Sequence, residues 1–162
     1  MALLRYRGAG RKLMHRLKYG GREEAAGPLG EALGRRARQV WPTLKPGTVV
    51  VPVPLHWRRR RTRGFDQAER IAAGVARELE LPLLAALRRR KHTAPLFRVE
   101  PERRAPLLEG VFTLRWGARR ALRDRHVILV DDIRTSGATL EAAAKALAPA
   151  GVRSVRAAVA AR

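Results

Sequence analysis

The chain has 162 residues, of which 46% are hydrophobic, so it is long enough to bury one sizeable core. Its 35 basic and 14 acidic residues give a net charge of +21, which favours an anionic partner: nucleic acid, a phosphorylated small molecule or an acidic protein. The absence of cysteine excludes disulfides, thiolate catalysis and cysteine-based zinc sites. No apolar run is long enough to span a bilayer and the N-terminus has no signal-peptide core, so we expect a cytoplasmic protein without a membrane span.

The first part of the chain is predicted to be helical. Apolar residues recur at helical spacing through residues 9–41, and glycine and proline at 20–28 indicate a break between two helices. Residues 48–53 then form a β-branched run that is typical of a strand buried on both faces of a parallel sheet. We expect one domain, in which residues 1–47 are a helical part and residues 48–162 are the α/β core.

The middle of the chain continues this pattern. Asp66 is predicted to cap a helix whose apolar residues recur from residue 68 to 79. Residues 81–84 are a second candidate strand and residues 111–114 a third. The polar stretch between them, residues 88–106, is too long for an ordinary connection and is expected to be functional or disordered.

The last third contains the clearest strand and helix. Residues 127–130 are predicted to form a strand, residues 140–147 a helix that Gly151 terminates, and residues 154–159 a final strand. Strands that alternate with helices predict an α/β fold with a mostly parallel sheet flanked by helices. In such folds ligands bind beyond the carboxyl ends of the strands.

Two carboxylates and a loop of small residues follow the clearest strand. Asp131 and Asp132 are acceptors suited to a vicinal diol, although a strand end with a helix cap would use the same residues. The loop precedes a helix N-terminus, where backbone N–H groups and hydroxyls bind phosphate. Together they favour a site for ribose 5-phosphate, whose phosphate would bind at Thr135, Ser136, Gly137, Ala138 and Thr139.

This motif resembles the phosphoribosyl pyrophosphate signature of type I phosphoribosyltransferases. Residues 17–19, 51–56 and 63–68, and residues 102–104 ahead of 110–112, further resemble the ComF branch of that group, which is related to competence. The resemblance implies binding of 5-phosphoribosyl pyrophosphate with Mg²⁺ and transfer of the phosphoribosyl group to an unknown acceptor, with release of pyrophosphate. ComF proteins commonly begin with a four-cysteine zinc module, for which this chain has no cysteine, so nothing about that module is carried over.

The resemblance also implies roles for individual residues. Asp131 and Asp132 would hold the ribose hydroxyls and contribute to catalysis, and Mg²⁺ would bind through the substrate and these two aspartates. Arg88 and Lys91 would belong to a mobile lid that closes over the pyrophosphate. The loop that holds the pyrophosphate would be Pro54, Leu55 and His56.

A dense basic run beside that loop leaves a second function open. It could bind pyrophosphate or a nucleic-acid backbone, or be a solvated loop, and its tryptophan could stack on a base or pack internally. The alternative function is therefore a competence or DNA-uptake accessory with little or no transferase activity. Its expected partners are single-stranded DNA or a DNA-uptake helicase, and a homodimer is one expected assembly. The residues concerned are Trp57, Arg58, Arg59, Arg60, Arg61 and Arg63.

Overall fold

The computed structural model describes residues 1–19, 23–56, 64–91, 99–100 and 106–162. The basic run that follows His56, with its tryptophan, therefore lies outside the described residues. In chain order, the elements are β1 (Ala2–Leu4), α1 (Gly8–Tyr19), a 3-10 turn (Glu23–Ala25), α2 (Ala26–Val40), β2 (Thr48–Pro52), α3 (Gln67–Leu79), β3 (Leu87–Arg89), β4 (Phe112–Leu114), α4 (Ala118–Leu122), β5 (His126–Ile133), α5 (Ala138–Leu147), a second 3-10 turn (Ala148–Ala150) and β6 (Ser154–Ala161).

The main sheet is parallel throughout its four strands. Their order is β1, β6, β5, β2, so the two strands predicted most clearly, β2 and β5, are neighbours. β3 and β4 form a separate antiparallel pair. The predicted α/β fold with a mostly parallel sheet is confirmed.

Each face of the main sheet carries its own apolar core. Because side chains alternate along a strand, Val50 and Ile128 pack with α1, α2 and α3, whereas Val51 and Leu129 pack with α5 and the residues around the β3–β4 pair. All five residues of β2 are buried, as a strand covered on both faces requires.

Two glycines let α2 and α3 cross closely. A β-carbon on Gly74 would lie 2.5 Å from the carbonyl oxygen of Gly27 and 2.9 Å from the α-carbon of Gly30. Both neighbours are backbone atoms, which cannot rotate away as a side chain can. The close packing of α2 against α3 therefore requires that Gly74 has no side chain.

The local predictions differ from the structure at three places. Residues 81–84 form only an isolated bridge, at Leu83 with Val50, because Pro82 lacks the N–H that a longer ladder would need. The polar stretch at residues 88–106 begins within β3, which was not predicted because two of its three residues are arginines. The N-terminal β1 was not predicted, because its partner β6 lies at the other end of the chain.

Candidate functional site

Two loops of the predicted site leave the main sheet side by side. β2 and β5 run parallel with Pro52 opposite Val130, and the N–H of Val53 donates to the carbonyl oxygen of Val130 at 2.8 Å. Residues 53–56 therefore leave β2 next to the point where Asp131 follows Val130. The fold brings together two segments that are about 75 residues apart in the sequence.

The two aspartates lie inside the carboxyl end of β5, which extends beyond the predicted strand. Asp131 is 8% exposed and its Oδ1 accepts the N–H of Asp132 at 2.8 Å. Asp132 is half-buried, and its Oδ1 accepts the N–H of Ile133 at 2.7 Å. These contacts fix both carboxylates at the carboxyl edge of the sheet, where ligands bind in α/β folds.

The loop after β5 has the backbone of a phosphate cradle. Gly137 is the N-cap of α5, with φ of +90° and no side-chain cap, so the first turn of α5 presents backbone N–H groups towards the loop. The hydroxyl of Ser136 accepts the N–H of Ala138 at 3.5 Å. Thr135 and Ser136 are exposed and Thr139 is half-buried. The arrangement suits an anion at this helix N-terminus.

Arg134 is a candidate binding residue that the sequence analysis missed. A β-carbon on Gly137 would lie 3.2 Å from the Nε of Arg134, so glycine at this position also leaves room for the guanidinium over the loop. Arginine pairs well with phosphate through its planar fork. The signal was available, because Arg134 stands inside the motif, between Ile133 and Thr135.

Asp66 ties the loop after β2 to the start of α3. Its Oδ2 accepts the N–H of Leu55 at 2.7 Å, and its Oδ1 accepts the N–H groups of Ala68 and Glu69 at 3.1 and 3.3 Å. Burial raises the pKa of Asp66, and these N–H donors limit the rise by favouring the carboxylate. The helix cap was predicted from the sequence; the contact with Leu55 was not.

The remaining residues of that loop lie at different depths. His56 is buried, whereas Pro54 and Leu55 are half-buried. Beside Pro54 and Leu55 opens a cavity of about 150 Å³, which Asp66 and Glu69 line on the side of α3. The loop predicted to hold pyrophosphate therefore borders a cavity that both charged and apolar residues line.

Of the predicted lid residues, Arg88 lies on β3 and Lys91 lies two residues beyond the end of that strand. Arg88 on β3 lines the cavity beside Leu55, and its Nε donates to the hydroxyl of Thr113 at 3.1 Å. The Nζ of Lys91 donates to the carbonyl oxygen of Glu109 at 3.4 Å, across the open end of the pair. The structure thus brings Arg88 to the loop after β2, while the two aspartates of β5 are not among the described residues that line this cavity.

The described part of the chain contains no ready-made metal cage. Within it, no group of three or more histidine, aspartate or glutamate side chains is placed to hold a metal ion. Among the described residues, no helix is long and apolar enough to cross a membrane.

Comparisons with known proteins agree with this geometry. Residues 66–162 match the family described as phosphoribosyl transferase domain. The chain is 32% identical to Competence protein F of Haemophilus influenzae over 114 residues, which is 70% of this chain and 49% of that protein. It is 30% identical to the DNA utilization protein YhgH of Escherichia coli over 148 residues, 89% of this chain and 63% of that protein.

Two more matches point the same way. Competence protein ComFC of Bacillus subtilis is 34% identical over 103 residues, 64% of this chain and 39% of that protein. The chain therefore spans roughly two fifths to two thirds of the length of these relatives. A solved structure, described as the allosteric regulatory enzyme of purine biosynthesis, shares the fold with a TM-score of 0.55 at 18% identity. The match covers 83% of this chain and 25% of the chain in that structure.

The family match covers more than half of the chain and includes the β5 motif and the Asp66 cap. Its relatives by sequence carry competence and DNA-utilization names. The chain belongs to the phosphoribosyl transferase domain family, as a type I phosphoribosyltransferase-like member of the ComF group.

Proposed function

We propose that the chain binds 5-phosphoribosyl pyrophosphate with Mg²⁺ and transfers its phosphoribosyl group to an acceptor, releasing pyrophosphate. The observation that carries the proposal is the pairing of β2 with β5. It sets a loop anchored by Asp66 beside a strand end with two carboxylates, which continues into a helix N-terminus of the kind that suits an anion. A ribose that carries phosphate at one end and pyrophosphate at the other needs these three features in one place.

Each part of the substrate has a chemical counterpart in this arrangement. The 5-phosphate would bind at the first turn of α5, with Ser136 and Arg134 adding a hydroxyl and a cation. The ribose hydroxyls would donate to the carboxylates of Asp131 and Asp132. The pyrophosphate would lie against residues 54–56, within reach of basic side chains on β3 such as Arg88.

The residues present also fit Mg²⁺. This ion prefers oxygen ligands and is usually held by one or two carboxylates together with substrate phosphates, rather than by a cage of protein ligands. Asp131 and Asp132 supply carboxylates of this kind at the strand end. When bound, the ion would neutralise negative charge on the departing pyrophosphate.

The reaction asks mainly for positioning and charge stabilisation. The bond between ribose C1 and pyrophosphate breaks, and the pyrophosphate leaves with the bonding electron pair. C1 forms a new bond to the acceptor, which loses a proton. Asp131 and Asp132 would stabilise the positive charge that develops on the ribose. Arg88 and Lys91 would stabilise the negative charge on the leaving group. Because Asp66 fixes the N–H of Leu55, the loop would meet the pyrophosphate in a prepared conformation.

Calorimetric titration with phosphoribosyl pyrophosphate and Mg²⁺ tests the proposal, with pyrophosphate alone as a reference ligand. We expect Asp131→Asn/Asp132→Asn to weaken binding at least tenfold, since asparagine can keep the local backbone contacts but loses both charges. The double variant makes the chain two charges more positive, +23 instead of +21. Non-specific attraction of anions would therefore grow, so weaker binding cannot come from bulk charge.

A matched control removes the same charge elsewhere. Asp124→Asn/Glu80→Gln also gives +23, and both residues are exposed and lie away from the carboxyl edge of the sheet. Affinity that is unchanged in the β5 variant, or lowered equally in the control, would refute the ribose site.

The names of the relatives and the charge of +21 support a second candidate, an accessory in DNA uptake or use. It predicts affinity for single-stranded DNA that falls steeply with salt. Neutralising Arg58 to Arg61 should lower both the affinity and the salt dependence. Binding that is absent or insensitive to salt would remove this candidate.

A further inference from the structure

Trp116 is fully exposed, with a relative accessibility of 102%. It lies between β4 and α4, in a turn that backbone contacts hold in place. The N–H of Arg115 donates to the carbonyl oxygen of Ala86 at 2.8 Å, and the N–H of Ala118 donates to that of Arg115 at 3.1 Å. The indole is therefore presented by a fixed turn. A ring presented in this way is open on both faces to stacking by a partner.

The surface around Trp116 is strongly basic. Residues 115–125 contain five arginines and one aspartate, Asp124, whose carboxylate lies 3.9 Å from Arg123 and 3.5 Å from Arg153. Within α4, the apolar residues Ala118 and Leu122 are buried. Arg119 and Arg120 are consequently left on the exposed side of α4, and Arg123, which follows it, is exposed as well. We call the exposed side chains of Trp116, Arg119, Arg120 and Arg123 the Trp116 face.

We propose that the Trp116 face binds single-stranded DNA by stacking an unpaired base on the indole and pairing the arginines with phosphates. Proteins that bind single strands without sequence preference combine exposed aromatic rings with a basic track in this way. A duplex would fit less well, because its bases already stack on one another. A second copy of this chain would bring like charges together, since each copy carries +21.

The composition of the face also predicts how selective it is. Stacking on an indole is open to every base, and pairing with phosphates is the same along any strand. Binding should therefore depend little on base sequence. This inference does not rest on the proposed transferase function, although Arg115, which precedes Trp116, lines the cavity beside Leu55.

The test is fluorescence anisotropy with a labelled oligo-dT of about 20 nucleotides. We expect Trp116→Ala to weaken binding about 5- to 100-fold, and Trp116→Phe to retain most of the affinity because it keeps an aromatic ring. Salt dependence separates the two kinds of contact. Trp116→Ala should leave the slope of log affinity against log salt unchanged, whereas Arg119→Gln/Arg120→Gln should reduce it by about 1.4, or about 0.7 for each phosphate that is no longer neutralised.

The matched control is Arg35→Gln/Arg36→Gln on α2. It removes the same charge from exposed positions on the other side of the sheet, and the ion pair of Arg35 with Glu78 that it breaks is an exposed one of little energetic weight. We expect a smaller change than for the α4 pair. Equal losses in both double variants would mean that only bulk charge attracts the DNA, which would overturn the proposal.

Other outcomes would also overturn it. Unchanged affinity in Trp116→Ala would exclude stacking at this position, and because the indole is fully exposed, loss of the fold is not an expected reason for a change. Binding of RNA of the same sequence more than tenfold tighter would contradict the assignment to DNA. A dimer that Trp116→Ala dissociates, with DNA binding unaffected, would make a second copy the occupant.

Discussion

Replacing Asp66 should loosen the proposed pyrophosphate loop and weaken the helix behind it in one step. Its carboxylate accepts three backbone N–H groups, two from the first turn of α3 and one from Leu55. Loss of an N-cap side chain costs about 1 kcal/mol, and loss of one further hydrogen bond with a part-buried donor costs about 1 to 3 kcal/mol. We therefore expect Asp66→Ala to lower the free energy of unfolding by about 2 to 4 kcal/mol.

Asp66→Asn separates the two contributions. Asparagine is as good an N-cap as aspartate, so it should restore the part of the stability that comes from Ala68 and Glu69. Its amide nitrogen can only donate, so a single side chain can no longer serve both the helix and Leu55 with acceptor oxygens. Urea unfolding at neutral pH should place this variant between wild type and Asp66→Ala. Calorimetry should show that both variants bind phosphoribosyl pyrophosphate more weakly.

The pH dependence of the free energy of unfolding tests whether burial or the N–H donors have the larger effect on the pKa of Asp66. Burial raises the pKa of Asp66 above its ordinary 3.8, so between 3.8 and the raised value the folded protein holds a proton that the unfolded chain has released. Stability that comes from this group is therefore present at low pH and is lost as the pH rises through that interval. The advantage of wild type over Asp66→Asn should shrink accordingly. A growing advantage would mean that the three N–H donors outweigh burial, and would refute the reasoning.

Two further predictions concern packing and the phosphate loop. Gly74→Ala should destabilise the protein by about 1 to 3 kcal/mol in urea unfolding, because its methyl group would meet the backbone of Gly27 and Gly30, and this exceeds the gain of up to about 1 kcal/mol in helix propensity. Gly27→Ala is the matched control: a β-carbon there has no neighbour within 4 Å, so stability should stay equal or rise. Arg134→Gln should weaken phosphoribosyl pyrophosphate binding about tenfold or more, as removal of a charged group that pairs with phosphate would, and leave the unfolding midpoint unchanged. An unchanged affinity would place this guanidinium outside the site.

The features that could be predicted are those whose chemistry is local in the sequence. The β-branched run of β2 and the apolar run of β5 identify buried strands without knowledge of their partners. Asp66 indicates a helix start because capping involves residues only two or three positions away. The segment from Asp131 to Thr139 combines a strand end, a loop and a helix start within nine residues, so its proposed role could be inferred from the sequence alone.

The features that were missed depend on distant partners. Arg89 on β3 stands in a polar stretch of the sequence, yet its guanidinium lies 5.4 Å from the ring centroid of Phe112 on β4, 23 residues later. Strand β1 pairs Ala2 with Val159, so no local pattern could place it. The exposure of Trp116 also depends on the fold, because tryptophan is on average well buried and the arginines around it in the sequence do not determine which way the ring points.

In a chain with a charge of +21, affinity for an anion identifies no site by itself. The aspartate variant of β5 adds positive charge, whereas Trp116→Ala leaves the charge unchanged, so neither can weaken anion binding through bulk electrostatics. Measured against both ligands, the two variants should give a crossed result: the first loses phosphoribosyl pyrophosphate and keeps DNA, and the second does the reverse. If both variants instead lost both ligands, the sugar phosphate and the DNA strand would share one surface, and the two proposals would have to be replaced by a single one.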